Sequence, residues 1–317
     1  MSRVRVGVIG VGHLGAVHAR VYSQLHSAQL VGVCDLAADR AREIGERFGV
    51  PWHSDYRQLL PHVDAVSVAV PTAAHFDVAK GSLSGQVHVL LEKPITRTLA
   101  EADALLALAR RAKLILQVGH VERFNSAFQG IAAILKKPRF IECHRLGPYT
   151  HRGTDVGVVL DLMIHDLDIL LWLVGSRVKR FDAVGVSILS GTEDIANVRL
   201  TFANGTVANL TASRVTPETL RKIRLFQHDT YISVDYAAQA ATVFRKRNGT
   251  ITHEELPIER EEPLKKELAA FVEAVKHRTR AVVRLPRAVA TGEDAREALR
   301  LALAITRKIG RPGSHQR

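Results

Sequence analysis

Val4-Arg5-Val6-Gly7-Val8-Ile9-Gly10-Val11-Gly12-His13-Leu14-Gly15 reads as a buried strand, a glycine turn and the start of a helix. Gly10 permits the tight turn, Gly12 lets the backbone approach a pyrophosphate, and Gly15 allows close packing of helix on strand. The helix start at His13 and Leu14 offers amide donors and a partial positive charge. Glycine turns of this spacing also occur as plain structural turns, so the context decides. Here an amphipathic helix follows, then a second strand, Gln29-Leu30-Val31-Gly32-Val33-Cys34, ending at Asp35. That acid stands twenty residues beyond Gly15, where a carboxylate accepts hydrogen bonds from the adenosine ribose. It also repels a 2′-phosphate, and no arginine follows it directly, Arg40 coming more than a helical turn later. The expected cofactor is NAD rather than NADP.

The alternation continues downstream. Residues 37–48 read as a helix, 64–70 as a buried strand stopped by Pro71, 74–84 as a helix and 87–91 as a strand. A helix over 98–112 and a strand over 114–118 complete the pattern, and 119–135 leads out through another helix. Strands alternating with helices at this spacing imply a doubly wound parallel sheet, a Rossmann domain over residues 1–120. Beyond Pro138 the pattern changes to strands in succession: 140–145, 181–189, 196–202, 207–214, 223–227, 231–234 and 241–245. Asn204-Gly205 and Asn248-Gly249 are hairpin signals. Residues 121–317 are therefore expected to form an α+β domain with a large, mostly antiparallel sheet, serving substrate binding and oligomerisation. Helices over 262–279 and 286–309 finish it, the last one packing back on the first domain, with a short disordered tail after Gly310.

At 317 residues, 46% hydrophobic and 24% charged, the composition is that of a soluble globular protein. A nucleotide-binding strand at residue 3 or 4 leaves no expected signal peptide. The most apolar stretch, 156–174, contains Asp161, His165, Asp166 and Asp168, which argues against a membrane span. Cys34 and Cys143 stand alone, without a disulfide framework or zinc spacing, and a cytoplasmic location is expected. The formal charge of +12 is dispersed and aromatics are only 5%, so nucleic acid is not an expected partner. A solvated basic surface or an anionic small substrate accounts for the charge.

Two constellations carry chemistry. Glu92-Lys93-Pro94 closes the strand 87–91, and in an open α/β sheet ligands sit beyond the carboxyl ends of the strands. Lys93 therefore reads as a contact to substrate beside the nicotinamide, the alternative being a surface ion pair with Glu92. Asp161, His165 and Asp168, spaced by four and three, fall on one face of an otherwise apolar helix. Burying unpaired ions costs several kcal/mol each, on the order of 5, so the trio reads as a polar wall of an active site. A metal site lacks an obvious third ligand, and none is expected.

Together, the glycine fingerprint, Asp35, Pro71-Thr72-Ala73-Ala74-His75, Glu92-Lys93-Pro94 and Asp161-x3-His165 resemble the Gfo/Idh/MocA oxidoreductases over essentially the whole chain. That resemblance implies oxidation or reduction of a sugar or cyclitol carbon with NAD or NADP. It implies cofactor contacts from the glycine loop, Asp35, Pro71, Thr72, His75, Glu92 and Lys93, with Lys93 and His165 serving the substrate hydroxyl and Asp161 positioning it. Gly119-His120-Val121-Glu122-Arg123-Phe124-Asn125 and the string 155–166 resemble the branch of UDP-N-acetylglucosamine 3-dehydrogenases, which feed a lipid A diaminosugar pathway. Val158-Val159-Leu160 stands where typical members carry extra glycines, in keeping with that branch. Arg123 and Asn125 become candidate substrate contacts, Glu122-Arg123 being equally readable as a structural ion pair.

The reading is a sugar dehydrogenase that forms a homo-oligomer, dimer or tetramer. A basic side chain removes the hydroxyl proton as hydride leaves the carbon. An inositol or free-sugar dehydrogenase is the alternative within enzymes. A non-catalytic NAD sensor is the alternative outside them, and it needs none of Lys93, Asp161 and His165.

Overall fold

β1 (Val4–Ile9) exposes only Arg5 among its six residues, as a strand covered on both faces must. In the computed structural model, which describes residues 3–150, 156–277 and 288–310, it lies at the centre of a six-stranded sheet. α1 (His13–Gln24), β2 (Ala28–Cys34), α2 (Ala38–Phe48), β3 (Trp52–His53) and β4 (Ala65–Val68) follow. α3 (Thr72–Ser84), β5 (His88–Glu92), α4 (Leu99–Ala112) and β6 (Leu116–Gly119) complete the alternation. The strand order is β3-β2-β1-β4-β5-β6 and every pairing is parallel. The order reverses between β1 and β4, which opens a crevice at their carboxyl ends. Gly10–Gly12 and Val70–Thr72 stand there. β3 escaped the sequence reading because two residues carry no periodicity.

The chain divides into two units, Met1–Phe124 with Glu262–Glu297, and Asn125–Glu261 with Ala298–Arg317. In the second, α5 (Ser126–Ala132) leads to β7 (Phe140–Leu146), a π turn over Val159–Met163 and α6 (Ile164–Val174). β8 (Val178–Val186), β9 (Ile195–Phe202), β10 (Val207–Ser213) and β11 (Leu220–Gln227) come next, then β12 (Thr230–Asp235), β13 (Ala240–Arg247) and β14 (Thr250–Glu255). They form one eight-stranded sheet, β14-β13-β12-β11-β7-β10-β9-β8, antiparallel except where β10 runs parallel to β7. Alternate residues, among them Ile141, Val198, Leu210, Leu225, Ile232 and Val243, point to one core with Leu167 and Leu170 of α6. Asn248 (φ 49°) and Gly249 (φ 80°) are both left-handed, the pairing a two-residue hairpin demands. The hairpin explains β14, whose six residues are all exposed and give no hydrophobic alternation to read.

α7 (Pro263–Lys276) returns to the first unit, where Leu268, Phe271 and Val272 pack with Val6, Val8, Tyr22 and Leu90. α8 (Gly292–Ile309) is divided, through Glu297 with the first unit and from Ala298 with the second. Residues 278, 279, 286 and 287 of the expected helices and the tail after Gly310 lie outside the described residues. Among the described residues no helix is long and apolar enough to cross a membrane.

Candidate active site

The turn after β1 is built for close approach. Gly10 has φ +82°, and a Cβ there would come within 2.7 Å of the Ala69 carbonyl oxygen. A Cβ on Gly15 would overlap the Gly10 carbonyl oxygen, so α1 reaches the strand only because residue 15 is glycine. A Cβ on Gly12, by contrast, would meet nothing within 4 Å. Gly12 is the N-cap of α1 and brings no side chain to its first amides. Gly12, His13 and Leu14 are exposed. An open, uncapped helix start is the cradle that a cofactor pyrophosphate fits.

Asp35 stands beside this cradle. Its Oδ2 accepts from the Val11 N–H at 2.8 Å and its Oδ1 from the Ala37 N–H at 3.0 Å. Each carboxylate oxygen has a second lone pair for a ribose hydroxyl. Arg40, more than a helical turn later in sequence, also reaches this turn. α2 folds its guanidinium back over the glycine turn, where Nε donates to the Val11 carbonyl at 2.8 Å and Nη1 pairs with Glu43 at 2.6 Å. Sequence distance hid this contact, because a helix returning antiparallel to its strand brings its first turns back to the loop.

At the neighbouring strand ends, Pro71 is exposed and Thr72 opens α3. The buried His75 presents Nδ1 to the Pro94 carbonyl (2.8 Å) and Nε2 to the Val70 carbonyl (2.9 Å), tying together the loops after β4 and β5. Burial dominates over these carbonyls and holds its pKa below the ordinary histidine value. Lys93, half-buried, follows the last residue of β5. Its backbone N–H donates to Glu92 Oε2 at 3.3 Å. Glu92 is buried, with His18 Nε2 at 3.2 Å from Oε1. A Cβ on Gly119 would lie 2.8 Å from that carboxylate, so glycine in β6 makes the room for it. Burial pushes the Glu92 carboxyl up, but His18 and the Lys93 ammonium outweigh it and the pKa lies below the usual carboxylate range. The charged form of Glu92 is thus favoured next to Lys93. His18, on α1, belongs to no motif and was not read from sequence.

The second unit carries a polar group of its own. Asp161 lies in the π turn, not in a regular α-helix, and His165 in the first turn of α6. The i→i+5 bonding there alters the face that a spacing of four defines, and such turns occur often at functional sites. The expected trio also separates by exposure: Asp161 and His165 are half-buried, whereas Asp168 is 1% exposed. Upstream, the Val158 N–H donates to the Glu193 carbonyl at 2.9 Å and the Val159 N–H to Glu193 Oε1 at 3.4 Å. A Cβ on Gly157 would overlap that carboxylate, so with any other residue the Glu193 side chain would have to shift.

Arg123 and Asn125 are both buried. Arg123 Nη1 pairs with Asp294 at 3.3 Å in the first unit. The Asn125 amide caps α5, accepting from the Ala127 N–H at 3.0 Å, and donates to the Tyr236 carbonyl at 2.8 Å. Arg145, Glu193 and Tyr236 carried no local signal in the sequence, and Asp166 showed only as an acid within the apolar stretch.

Comparison with known proteins finds two family models along the chain. Residues 4–120 match the model of an oxidoreductase family with an NAD-binding Rossmann fold, and residues 127–231 that of the GFO/IDH/MocA C-terminal domain. The chain is 42% identical over 252 residues, 79% of its length and 80% of the relative's, to a UDP-N-acetylglucosamine 3-dehydrogenase of Acidithiobacillus ferrooxidans. A solved structure of an enzyme of that name and organism superposes with a TM-score of 0.91 at 37% identity, covering 98% of each chain. A myo-inositol 2-dehydrogenase of Thermotoga maritima is 29% identical over 67% of this chain and 69% of its own.

Proposed function

The chain belongs to the Gfo/Idh/MocA oxidoreductase family, and from that membership we propose that it oxidises the C3 hydroxyl of UDP-N-acetylglucosamine with NAD. When bound, the nicotinamide accepts the hydride leaving the sugar carbon. His165 takes the hydroxyl proton, Lys93 polarises the oxygen, and Asp161 orients His165 or a neighbouring hydroxyl. Gly12 and the α1 amides hold the pyrophosphate, while Asp35 takes the ribose hydroxyls. The charged Glu92 places a counter-charge next to Lys93, whose ammonium stabilises the developing alkoxide. The substrate's diphosphate matches a chain of net charge +12 and supplies remote binding energy that positions the reacting carbon.

The observation that carries the substrate assignment is the extent of likeness to an enzyme named for it, well above the likeness to the inositol dehydrogenase. The test is an NAD-dependent assay with the ketone trapped, which draws the oxidation forward whatever its equilibrium. UDP-N-acetylglucosamine turns over and free N-acetylglucosamine is far poorer. A blank with the nucleotide sugar beside turnover of inositol or a free hexose refutes the assignment and leaves the family-level activity.

We also propose self-association through the second unit. Phe140, Phe226, Tyr231, Phe244 and His253 stack in a row across five strands, with centroids 5.7, 4.9, 5.0 and 5.7 Å apart. The row lies on the sheet face opposite Ile141, Leu225, Ile232 and Val243. Val184 and Val186 of β8 are exposed, at 49% and 50%. The row is flanked on the same face by polar residues such as Glu142, Arg224 and Arg199, and a partly exposed aromatic row with a polar surround is a candidate interface between copies. Light scattering reads a multiple of 34.9 kDa; the monomer mass at micromolar concentration refutes this.

A further inference from the structure

Arg145 of β7 and Asp166 of α6 form a buried, two-pronged ion pair. Nε lies 3.2 and 3.0 Å from Oδ1 and Oδ2, and Nη2 donates to Oδ1 at 3.0 Å. The Tyr236 hydroxyl donates to the same Oδ1 at 3.1 Å, and the guanidinium lies over the Tyr236 ring, 5.0 Å from its centroid. Tyr236 is fixed in turn by the Phe128 ring at 5.3 Å and by Asn125, which holds its backbone carbonyl. Arg145, Asp166 and Tyr236 are each no more than 5% exposed.

Stability does not call for this arrangement. Burying two charges carries a desolvation cost that their attraction only about offsets, and an apolar replacement of equal volume is often as stable. What an ion pair with parallel hydrogen bonds supplies is direction. Asp166 follows His165 immediately, and consecutive side chains on a helix project about 100° apart. Fixing Asp166 against β7 therefore sets both the rotation of α6 about its axis and the direction in which His165 leaves it. The need is greatest at this point, because the preceding turn is π and the change to α bonding at Ile164 is where a helix shifts its register.

We propose that Asp166, clamped by Arg145 and Tyr236, is the positioning residue for His165, setting the direction of its imidazole toward the substrate hydroxyl. This rests on the reading of His165 as the proton acceptor. A misplacement of about 1 Å is enough to lower turnover by as much as about a hundredfold.

The test compares Asp166→Asn, Tyr236→Phe and His165→Ala on UDP-N-acetylglucosamine, unlabelled and deuterated at C3, with NAD. Asp166→Asn loses about tenfold or more in kcat and Tyr236→Phe about threefold to tenfold. In both, KM for NAD stays within about twofold and the deuterium effect on kcat rises, as hydride transfer becomes the slow step. Tyr236→Phe keeps its ring beneath Arg145 and decides the matter should Asp166→Asn not fold. Parental kcat per folded enzyme, with only the melting temperature lowered, overturns the inference while a dead His165→Ala leaves the underlying reading intact. A His165→Ala enzyme at the parental rate brings both down.

Discussion

Asp194→Asn replaces one buried oxygen charge and disturbs a knot of hydrogen bonds. In the parent, Asp194 Oδ2 accepts from the backbone N–H groups of Ile188 (2.7 Å), Leu189 (2.6 Å) and Ser190 (2.9 Å). Oδ1 accepts from Ser190 Oγ at 2.7 Å and Arg214 Nε at 2.9 Å. Arg214 itself is 5% exposed, and its Nη2 reaches the Val156 carbonyl at 3.0 Å, just ahead of the π turn with Asp161. Removing the charge leaves the guanidinium without its counter-ion, at a cost of about 3–5 kcal/mol. At about 2–4 °C per kcal/mol for a unit of this size, the melting midpoint falls by about 10 °C. The sign with pH follows from the carboxyl. Burial pushes it up, but the hydrogen bonds from Ser190, Ile188 and Leu189 outweigh burial and hold it far below 3.8. A depressed folded pKa stabilises above the unfolded value and ceases to do so as pH falls through the folded one. The gap between parent and variant is therefore full at pH 7 and narrows below about pH 4, where the unfolded chain's carboxyl takes up a proton while the folded one stays charged, closing only as pH falls through the depressed folded value. Calorimetry across that range checks both statements. A midpoint within about 2 °C of the parent at pH 7, or a gap indifferent to acid, refutes the reasoning.

Asp35→Ser combined with Leu36→Arg shifts preference from NAD toward NADP, Leu36 being 92% exposed and open to substitution; equal affinities for the two cofactors in the parent, by fluorescence titration, would remove the carboxylate's role. Lys93→Met leaves NAD binding nearly intact and lowers turnover by about a hundredfold or more, read in the trapped-ketone assay; a near-parental rate relocates the chemistry. Gly15→Ala drives a methyl group into the Gly10 carbonyl, a backbone atom that cannot swing aside, so NAD affinity and the urea midpoint both fall; an unchanged titration would show that the turn tolerates a Cβ.

The cofactor cradle was legible in the sequence because its parts are local. Gly10, Gly12 and Gly15 act through backbone within one turn, and Asp35 is set by the length of a single strand–helix–strand unit. The place of Lys93 was legible for the same reason, as the residue that follows a strand. The first and second sheets were likewise readable from period and turn chemistry, apart from β3 and β14, which are too short or too exposed to show a pattern. Asp161 and His165 were recognisable as a pair from their spacing. Their helix was expected to be regular, and hydrophobic content alone does not reveal a π turn.

What the sequence by itself determined is therefore the set of backbone-driven features: strand order along the chain, the glycine turn, the acid after β2 and the lysine after β5. Only the tertiary structure decided which groups meet from distant parts of the chain. His18 of α1 lies against Glu92 of β5, Arg40 of α2 caps the glycine turn, and Glu193 and Arg214 brace Val156–Val159. Asn125, read as a substrate contact, has both ends of its amide engaged within the second unit, and Tyr236 and Arg145 converge on Asp166. These are ion pairs and hydrogen bonds between side chains far apart in sequence. Their partners are selected by packing, strand register and the cost of leaving a buried charge alone, none of which has a period or a spacing to read.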